Sequence, residues 1–405
     1  MIDGIKSKFF IRILFTYIKQ SKCLKLINHN KNLQNLLKIS IKDFIKYYNQ
    51  IVIEIIPDLT NYELYKSKFF HPQSDLSYYH IYLNDDIKIN RNYLKQEDKV
   101  IKIKIIIESE VQNIESLFEK CKGLKYINFV KFNRKDITNM KRIFLDCESL
   151  IYLDISKLKT DNAESLAGMF CGCHNLKELN LSNFRTNNVK DMRIMFHGCS
   201  SLTELNVNHF ITDNVKYMSY MFCECSSLKR LNLSNFKTYN VTVMDGMFGD
   251  CNSLEELDLS NFETNNIIKM EHMFNRCTNL KKLNISNFVT DNVTNMGSMF
   301  GDCSSLKELN LLNFNTSNVD YMGWMFSGCS SLISLDVSHF DMNKVEDMSW
   351  MFSGCKSLNE LKIFKLNLKK NKENKFMFNG CKKELKEKIK KLYKKLDESA
   401  FIDEH

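Results

Sequence analysis

Cysteine and histidine are the residues of this chain whose types and spacing could bind a metal ion. Two Cys-x-Cys pairs, at 171/173 and 223/225, have His174 and His197 close by in the sequence. Structural zinc sites usually combine two pairs of ligands at Cys-x-x-Cys or related spacings. That spacing is missing, so the sequence predicts no metal ligands and no cofactor.

Most of the 14 cysteines follow a fixed period instead. Eleven of them are 26 residues apart, at 121, 147, 173, 199, 225, 251, 277, 303, 329, 355 and 381. Self-similarity at such a period is typical of a stacked array, in which each unit buries its apolar face against its neighbours. Below, these eleven are the ladder cysteines, and positions in the repeat are counted from them.

Apolar residues keep the same period. Phenylalanine stands at position −3 from Phe118 to Phe378, leucine at +3 from Leu124 to Leu358, and apolar residues at +6 and +8. Position +11 holds Phe132, Phe184, Phe210, Phe236, Phe262, Phe288, Phe314 and Phe340, with Leu158 and Leu366 in two other repeats. We expect these positions to form the core, with the ladder cysteines as reduced, buried thiols.

Two patterns alternate within each repeat. LKELNLSNF (176–184) ends in the alternation of a strand, whereas NVKDMRIMF (188–196) places apolar residues on one face of a short helix. Asn188 fits the N-cap of that helix, and Asp191 fits its N3 position. The predicted fold class is therefore an α/β solenoid of about ten strand–turn–short-helix coils, with strands on one wall and helices on the other.

The motif MFxxCSSLxxLxLSNFxTxNVxxM resembles the BspA-like leucine-rich repeat family, over residues from about 111 to about 381. The family includes mycoplasma lipoprotein-type surface proteins and large protist expansions. The resemblance implies a leucine-rich solenoid and, in characterised members, surface exposure and adhesion to host or matrix proteins.

The ends of the chain differ from the repeats and suggest four segments. Residues 1–50 are predicted to be a helical N-terminal region that weakly resembles an F-box. Residues 51–98 are predicted to be a β-containing cap, 99–381 the solenoid and 382–405 a C-terminal capping helix and tail. The strand-like stretch 100–108 is assigned to an imperfect first coil. A basic helix at a membrane surface is the alternative for the C-terminal segment.

Charge is distributed unevenly along the chain. Residues 1–100 and 365–405 each carry a net charge of +6, whereas 101–364 carry −3. A nucleic-acid binder needs a basic stripe on its binding face, so this distribution argues against nucleic acid as a partner. Solvated lysine runs explain the basic ends, and contact with a membrane is the less favoured alternative.

The repetition also argues against an enzyme, because an active site needs a unique set of residues and each coil here resembles the next. The chain has no nucleophile elbow and no phosphate-binding loop motif, so we expect neither catalytic residues nor a small-molecule substrate. A scaffold for an unknown protein partner is the default for a solenoid. The exposed, variable position +5 supplies the candidate partner-binding residues Tyr126, Tyr152, Glu178, Glu204, Arg230, Glu256, Lys282 and Glu308.

Location stays open between two hypotheses. Free cysteines and the lack of a clear signal peptide favour an intracellular protein, in which the F-box-like segment would make it a substrate receptor of a ubiquitin ligase. The family resemblance favours the cell surface.

At position +7, near-constant asparagine and aspartate are expected to bond between coils, and Asn180, Asn232 and Asn284 also fall in glycosylation sequons.

Overall fold

The computed structural model describes residues 31, 34, 41–60, 65, 68–363, 373–394 and 396–403. Most of the predicted helical region 1–50, with its F-box resemblance, lies outside these residues, as does Leu366. Helix α1, Ile41–Tyr48, is the described part of that region. Among the described residues, no helix is long and apolar enough to cross a membrane.

An antiparallel sheet covers the N-terminal end of the array. Its strands are β1 (Ile51–Pro57), β2 (Tyr79–Leu83), β3 (Ile87–Ile89), β4 (Ile103–Ile107), β5 (Leu124–Lys131) and β6 (Tyr152–Asp154). They are arranged in the order β3-β2-β4-β1-β5-β6. Strands β5 and β6 are parallel neighbours of the array, and β1 runs antiparallel to β5. The edge of the first coil is thus paired rather than open, which removes a template for aggregation.

The assignment of residues 100–108 to the first coil is wrong. Strand β4 lies between β1 and β2 and is antiparallel to both. Parallel pairing of strands begins only with β5 and β6. The cause is the alternation of buried isoleucines in β1 and β4, because the two strands pair edge to edge and direct these isoleucines from the same face of the sheet into one core.

From β5 onward each repeat makes one coil with two walls. The strand wall holds positions +5 to +7 and contains the short strands β6, β7 (Glu256–Asp258), β8 (Lys282–Asn284), β9 (Ser334–Asp336) and β10 (Glu360–Lys362). Pairs β7–β8 and β9–β10 are parallel and in register. The opposite wall, from position +15 to the next ladder cysteine, is called the turn wall here.

The predicted short helices on this second wall are wrong. Residues 188–196 form a bridge residue at Asp191 followed by turns, and the bridges link position +18 of every coil from Asn139 to Glu373. The apolar residues are buried as predicted, but the backbone hydrogen bonds join neighbouring coils instead of forming within one helix. The amides of Met192, Ile194 and Phe196 donate to carbonyls of the following coil at 2.9–3.0 Å.

Left-handed backbone explains why no helix forms. Position −5 has positive φ in residues as bulky as Ile194 (49°) and Trp324 (62°), and position −1 does so at Gly198 (71°) and Glu224 (58°). A left-handed residue interrupts an α-helix. It also turns alternate amides toward the neighbouring coil, where they satisfy the backbone. The turn wall is therefore a continuous inter-coil ladder of hydrogen bonds.

Two side-chain ladders run inside the coils. Phenylalanine rings at position −3 stack from Phe118 to Phe378, with centroids 5.6–5.9 Å apart and planes within 14° of parallel. Beside them, each ladder thiol from Cys147 to Cys381 donates to the carbonyl of a position −3 residue one coil back, at 3.0–3.2 Å. The ladder cysteines are free and buried, and they serve as backbone donors as well as small apolar groups.

Polar ladders account for the other repeated residues. Threonine at +13, such as Thr238, is fully buried and donates to the Glu263 carbonyl while accepting from the Glu263 amide, at 2.9 and 2.8 Å. Asparagine at +15 does not cap a helix. The Asn188 Nδ2 instead donates to the Asp161 carbonyl of the preceding coil at 2.9 Å, and the same bond recurs at six other coils.

The C-terminal segment closes the array in two ways. Helix α2, Lys383–Leu392, buries Leu385 and Ile389, whereas Leu392 is 64% exposed. It is the last residue of the helix, where the chain turns away. A short 3-10 helix, Glu398–Phe401, then places the Phe401 ring 5.3 Å from Phe378 at the end of the stack.

Candidate interaction surface

A groove runs along the strand wall in the C-terminal half of the array. It has a volume of about 1280 Å³ and crosses successive coils from Arg230 to Lys362. Its floor includes leucines at +6, such as Leu257 and Leu283, and its sides are mostly polar residues at +5, +7 and +9. Because strand alternation points +6 inward and +5 and +7 outward, each coil contributes the same three-residue pattern.

The groove collects half of the candidate partner-binding residues. Arg230, Glu256, Lys282 and Glu308 line it. Tyr126, Tyr152, Glu178 and Glu204 belong to the same column but lie nearer the N-terminus, and they do not line this groove. Tyr126 pairs with Ile56 of β1 and is half-buried, whereas Tyr152 is 57% exposed.

Ion pairs between coils neutralise part of the groove. Lys282 Nζ lies 2.8 Å from a Glu256 carboxylate oxygen, and Lys362 Nζ lies 3.0 Å from an Asp336 oxygen. The bond from Lys282 lowers the pKa of Glu256. The Ser338 hydroxyl and then Lys362 lower the pKa of Asp336 to about 2. Both carboxylates are therefore charged at neutral pH, and the groove offers positive and negative groups in alternation.

The polar column at +7 bonds within its own coil as well as between coils. The predicted bonds between coils are present at Asp258, which bonds to Asn284, and at Asp336, which accepts from Lys362. Asn180 accepts from the Ser182 amide at 3.0 Å, and Asp258 accepts from the Ser260 amide, also at 3.0 Å. Asparagine and aspartate favour this local turn because the side chain reaches the amide two residues on. The column therefore ends each strand segment and fixes the lip of the groove.

Two apolar residues at the groove were not among the candidates. Leu312 at +9 is 70% exposed and lines the groove, in a column that is otherwise mostly serine. Ile333 at +4 is 47% exposed and precedes Ser334 of the groove. The sequence signal for Leu312 was a leucine at position +9, where most other repeats have serine. An exposed leucine among charged groups can anchor a partner that the charges orient.

The repeats match a protein family over most of their length. The family described as "Mycoplasma protein of unknown function, DUF285" matches residues 112–206, 199–309 and 278–392. No curated protein matches the chain.

Two solved structures are similar to parts of the chain. A leucine-rich repeat protein from Bacteroides ovatus is 19% identical, over 68% of this chain and 81% of its own, with a TM-score of 0.34. The functional domain of InlJ from Listeria monocytogenes, which includes a cysteine ladder, is 14% identical over 64% of this chain and 55% of its own, with a TM-score of 0.16. The family matches together span residues from 112 to 392, so the chain belongs to the DUF285 family.

Proposed function

We propose that this protein is a non-enzymatic scaffold that binds a protein partner in the strand-wall groove. One observation carries the proposal. The exposed position +5, which changes from repeat to repeat, lines a single groove in six consecutive coils, from Arg230 to Glu360. The position behind it, +6, is leucine in nearly every repeat. A surface of this kind can change its specificity without changing its fold.

The partner expected from this chemistry is an extended polypeptide segment. Alternating charges along the groove suit a chain with charges of the opposite order, and Leu312 offers an apolar contact. The resemblance to BspA-like repeats favours a host or matrix protein as the source of that segment. Protease treatment of intact cells tests this finer proposal, since a surface protein is cleaved and an internal one is protected.

A crosslinking experiment tests the groove itself. A photo-crosslinking side chain is placed at Glu308 in the groove and, as a matched control, at the exposed Lys216 on the turn wall. We expect a discrete adduct in the native cell from position 308 and none from position 216. The charge reversal Arg230→Glu should weaken the 308 adduct by about tenfold, equivalent to the loss of one good contact. Adducts from 216 alone, or a 308 adduct indifferent to Arg230, would contradict the proposal.

A further inference from the structure

A second cluster of functional groups lies on the turn wall, away from the groove. Position −2 holds Cys171, His197 and Cys223 in three consecutive coils, and Glu224 follows the last of these. His197, Cys223 and Glu224 each offer one ligand atom, a ring nitrogen, a thiol sulfur and a carboxylate oxygen. These atoms all lie within 4.8 Å of one another. The 26-residue period brings these residues together in space, although His197 and Cys223 are too far apart in the sequence to form a recognisable metal-binding motif.

The histidine in this cluster lacks the hydrogen bonds expected of a structural side chain. His197 Nδ1 is buried and has no hydrogen-bond partner among the described residues. The other nitrogen, Nε2, is 3.8 Å from Glu224 Oε1, which is too long for a hydrogen bond. By contrast, His174 beside it is satisfied, with Nδ1 2.7 Å from the Gly198 carbonyl. A buried ring nitrogen without a hydrogen-bond partner is costly unless something else binds it.

The next coil leaves space at the cluster. Position −2 is Gly249 there, and a Cβ atom at this residue would come within 3.4 Å of Cys223 Sγ. The thiol itself is 7% exposed, whereas the Glu224 side chain is 50% exposed. The cluster is therefore shielded on its protein side and reachable from solvent past the carboxylate.

We propose that His197, Cys223 and Glu224 bind one Zn²⁺ ion. Zinc accepts nitrogen, sulfur and oxygen ligands together, at about 2.0–2.3 Å from the metal. Ligand atoms within 4.8 Å of one another converge on such an ion with small side-chain rotations. Three protein ligands leave the fourth position to water. This replaces the expectation, drawn from ligand spacing in the sequence, that the chain has no metal ligands.

Binding requires the thiol to lose its proton. On binding, the S–H bond breaks, a Zn–S bond forms and the proton passes to water. One proton is therefore released for each ion bound.

The ion would also connect two coils. His197 belongs to one coil, and Cys223 and Glu224 belong to the next. A ligand that binds only the folded state stabilises it by mass action. Zinc should therefore raise the denaturation midpoint, and the increase should disappear in variants that lack a ligand.

Co²⁺ is the probe for the test, because a thiolate–cobalt bond gives a charge-transfer absorption. The full chain is stripped with a chelator and titrated with Co²⁺ and then with Zn²⁺. We expect one charge-transfer band that saturates at one equivalent and is displaced by zinc. Cys223→Ser should abolish the band, and His197→Ala should weaken binding at least about tenfold.

His272→Ala is the matched control. His272 is also a half-buried histidine on the turn wall, 3.4 Å from the Glu271 carboxylate, but it belongs to no group of three such ligands among the described residues. This variant should bind Co²⁺ like the parent chain. Circular dichroism without metal identifies any variant that has lost its fold. The proposal is overturned if the parent chain gives no band with excess Co²⁺, or if the band survives in both folded ligand variants.

Discussion

The two walls of the array are built from the same repeat but differ in how their backbones are hydrogen-bonded from coil to coil. On the turn wall, bridges at position +18 join every coil from Asn139 to Glu373. On the strand wall, regular pairing among the described residues is confined to β5–β6, β7–β8 and β9–β10. Inter-coil backbone bonding is therefore more continuous on the turn wall than on the strand wall. The difference teaches that the turn wall holds the coils together, so the exposed residues of the strand wall can change without loss of that bonding.

The largest expected effect comes from alkaline pH, which acts on the core behind the turn wall. Burial raises the pKa of the ladder thiols, to about 12 in Cys277 and Cys329. The unfolded thiols ionise at about 8.5, so stability is intact below that pH and is lost as pH rises toward 12. We expect cooperative unfolding in this window, measured by circular dichroism. The double variant Cys277→Ala and Cys329→Ala should show a shallower decline, and an unchanged slope would contradict the assignment.

Truncating the phenylalanine stack is the next largest effect. Phe248 is fully buried, with its ring 5.9 Å from Phe222 and 5.7 Å from Phe274. Phe248→Ala should lower the free energy of unfolding by about 3–5 kcal/mol, measured by urea denaturation. Tyr152→Ala on the strand wall is the control, and because that side chain is 57% exposed it should cost far less. Equal losses at the two positions would remove the difference between the walls.

A smaller effect is expected from the threonine ladder. Thr238→Val keeps the shape but leaves the Glu263 amide and carbonyl without the hydroxyl. Buried groups left unpaired should cost about 1–3 kcal/mol in the free energy of unfolding. Thr242→Val, at a half-buried position of the same coil, is the matched control and should change stability little. If the two variants lose stability equally, the ladder at +13 is not structural.

The smallest effect on stability belongs to the groove. Lys282 and Glu256 form an exposed ion pair, and such pairs contribute little because water and salt screen them. Glu256→Ala should leave the denaturation midpoint within experimental error. The same variant should weaken capture of the partner that crosslinks at position 308. A clear drop in stability without a change in capture would assign the strand wall a structural role instead.

The period of the ladder cysteines was enough to predict the stacking and most of the core. It was not enough to predict the turn wall. The apolar spacing of residues 188–196 fits a helix, but it equally fits turns in which positive φ recurs at positions −5 and −1. Apolar periodicity reports which side chains are buried and not where the amides point. The sequence signal for bonding between coils was the recurrence of threonine at +13, as in Thr238, and of asparagine at +15, as in Asn188, since neither side chain can serve as an apolar core residue.

The candidate site was predictable only in part. Position +5 identified the variable column, and its members Arg230 to Glu308 line the groove. Its restriction to the C-terminal half depends on how the coils stack, which no single repeat encodes. Leu312 could have been found as the leucine that breaks a serine column.

Native-state amide hydrogen exchange tests the difference between the walls most directly. The account predicts that the slowest amides are those of the turn wall, such as Ile194 and Phe196, which donate to the next coil at 2.9 Å. Amides of the strand wall in coils without regular strands, such as residues 177–181, should exchange faster. Equal protection on both walls, or stronger protection on the strand wall, would contradict the claim that the turn wall holds the array together.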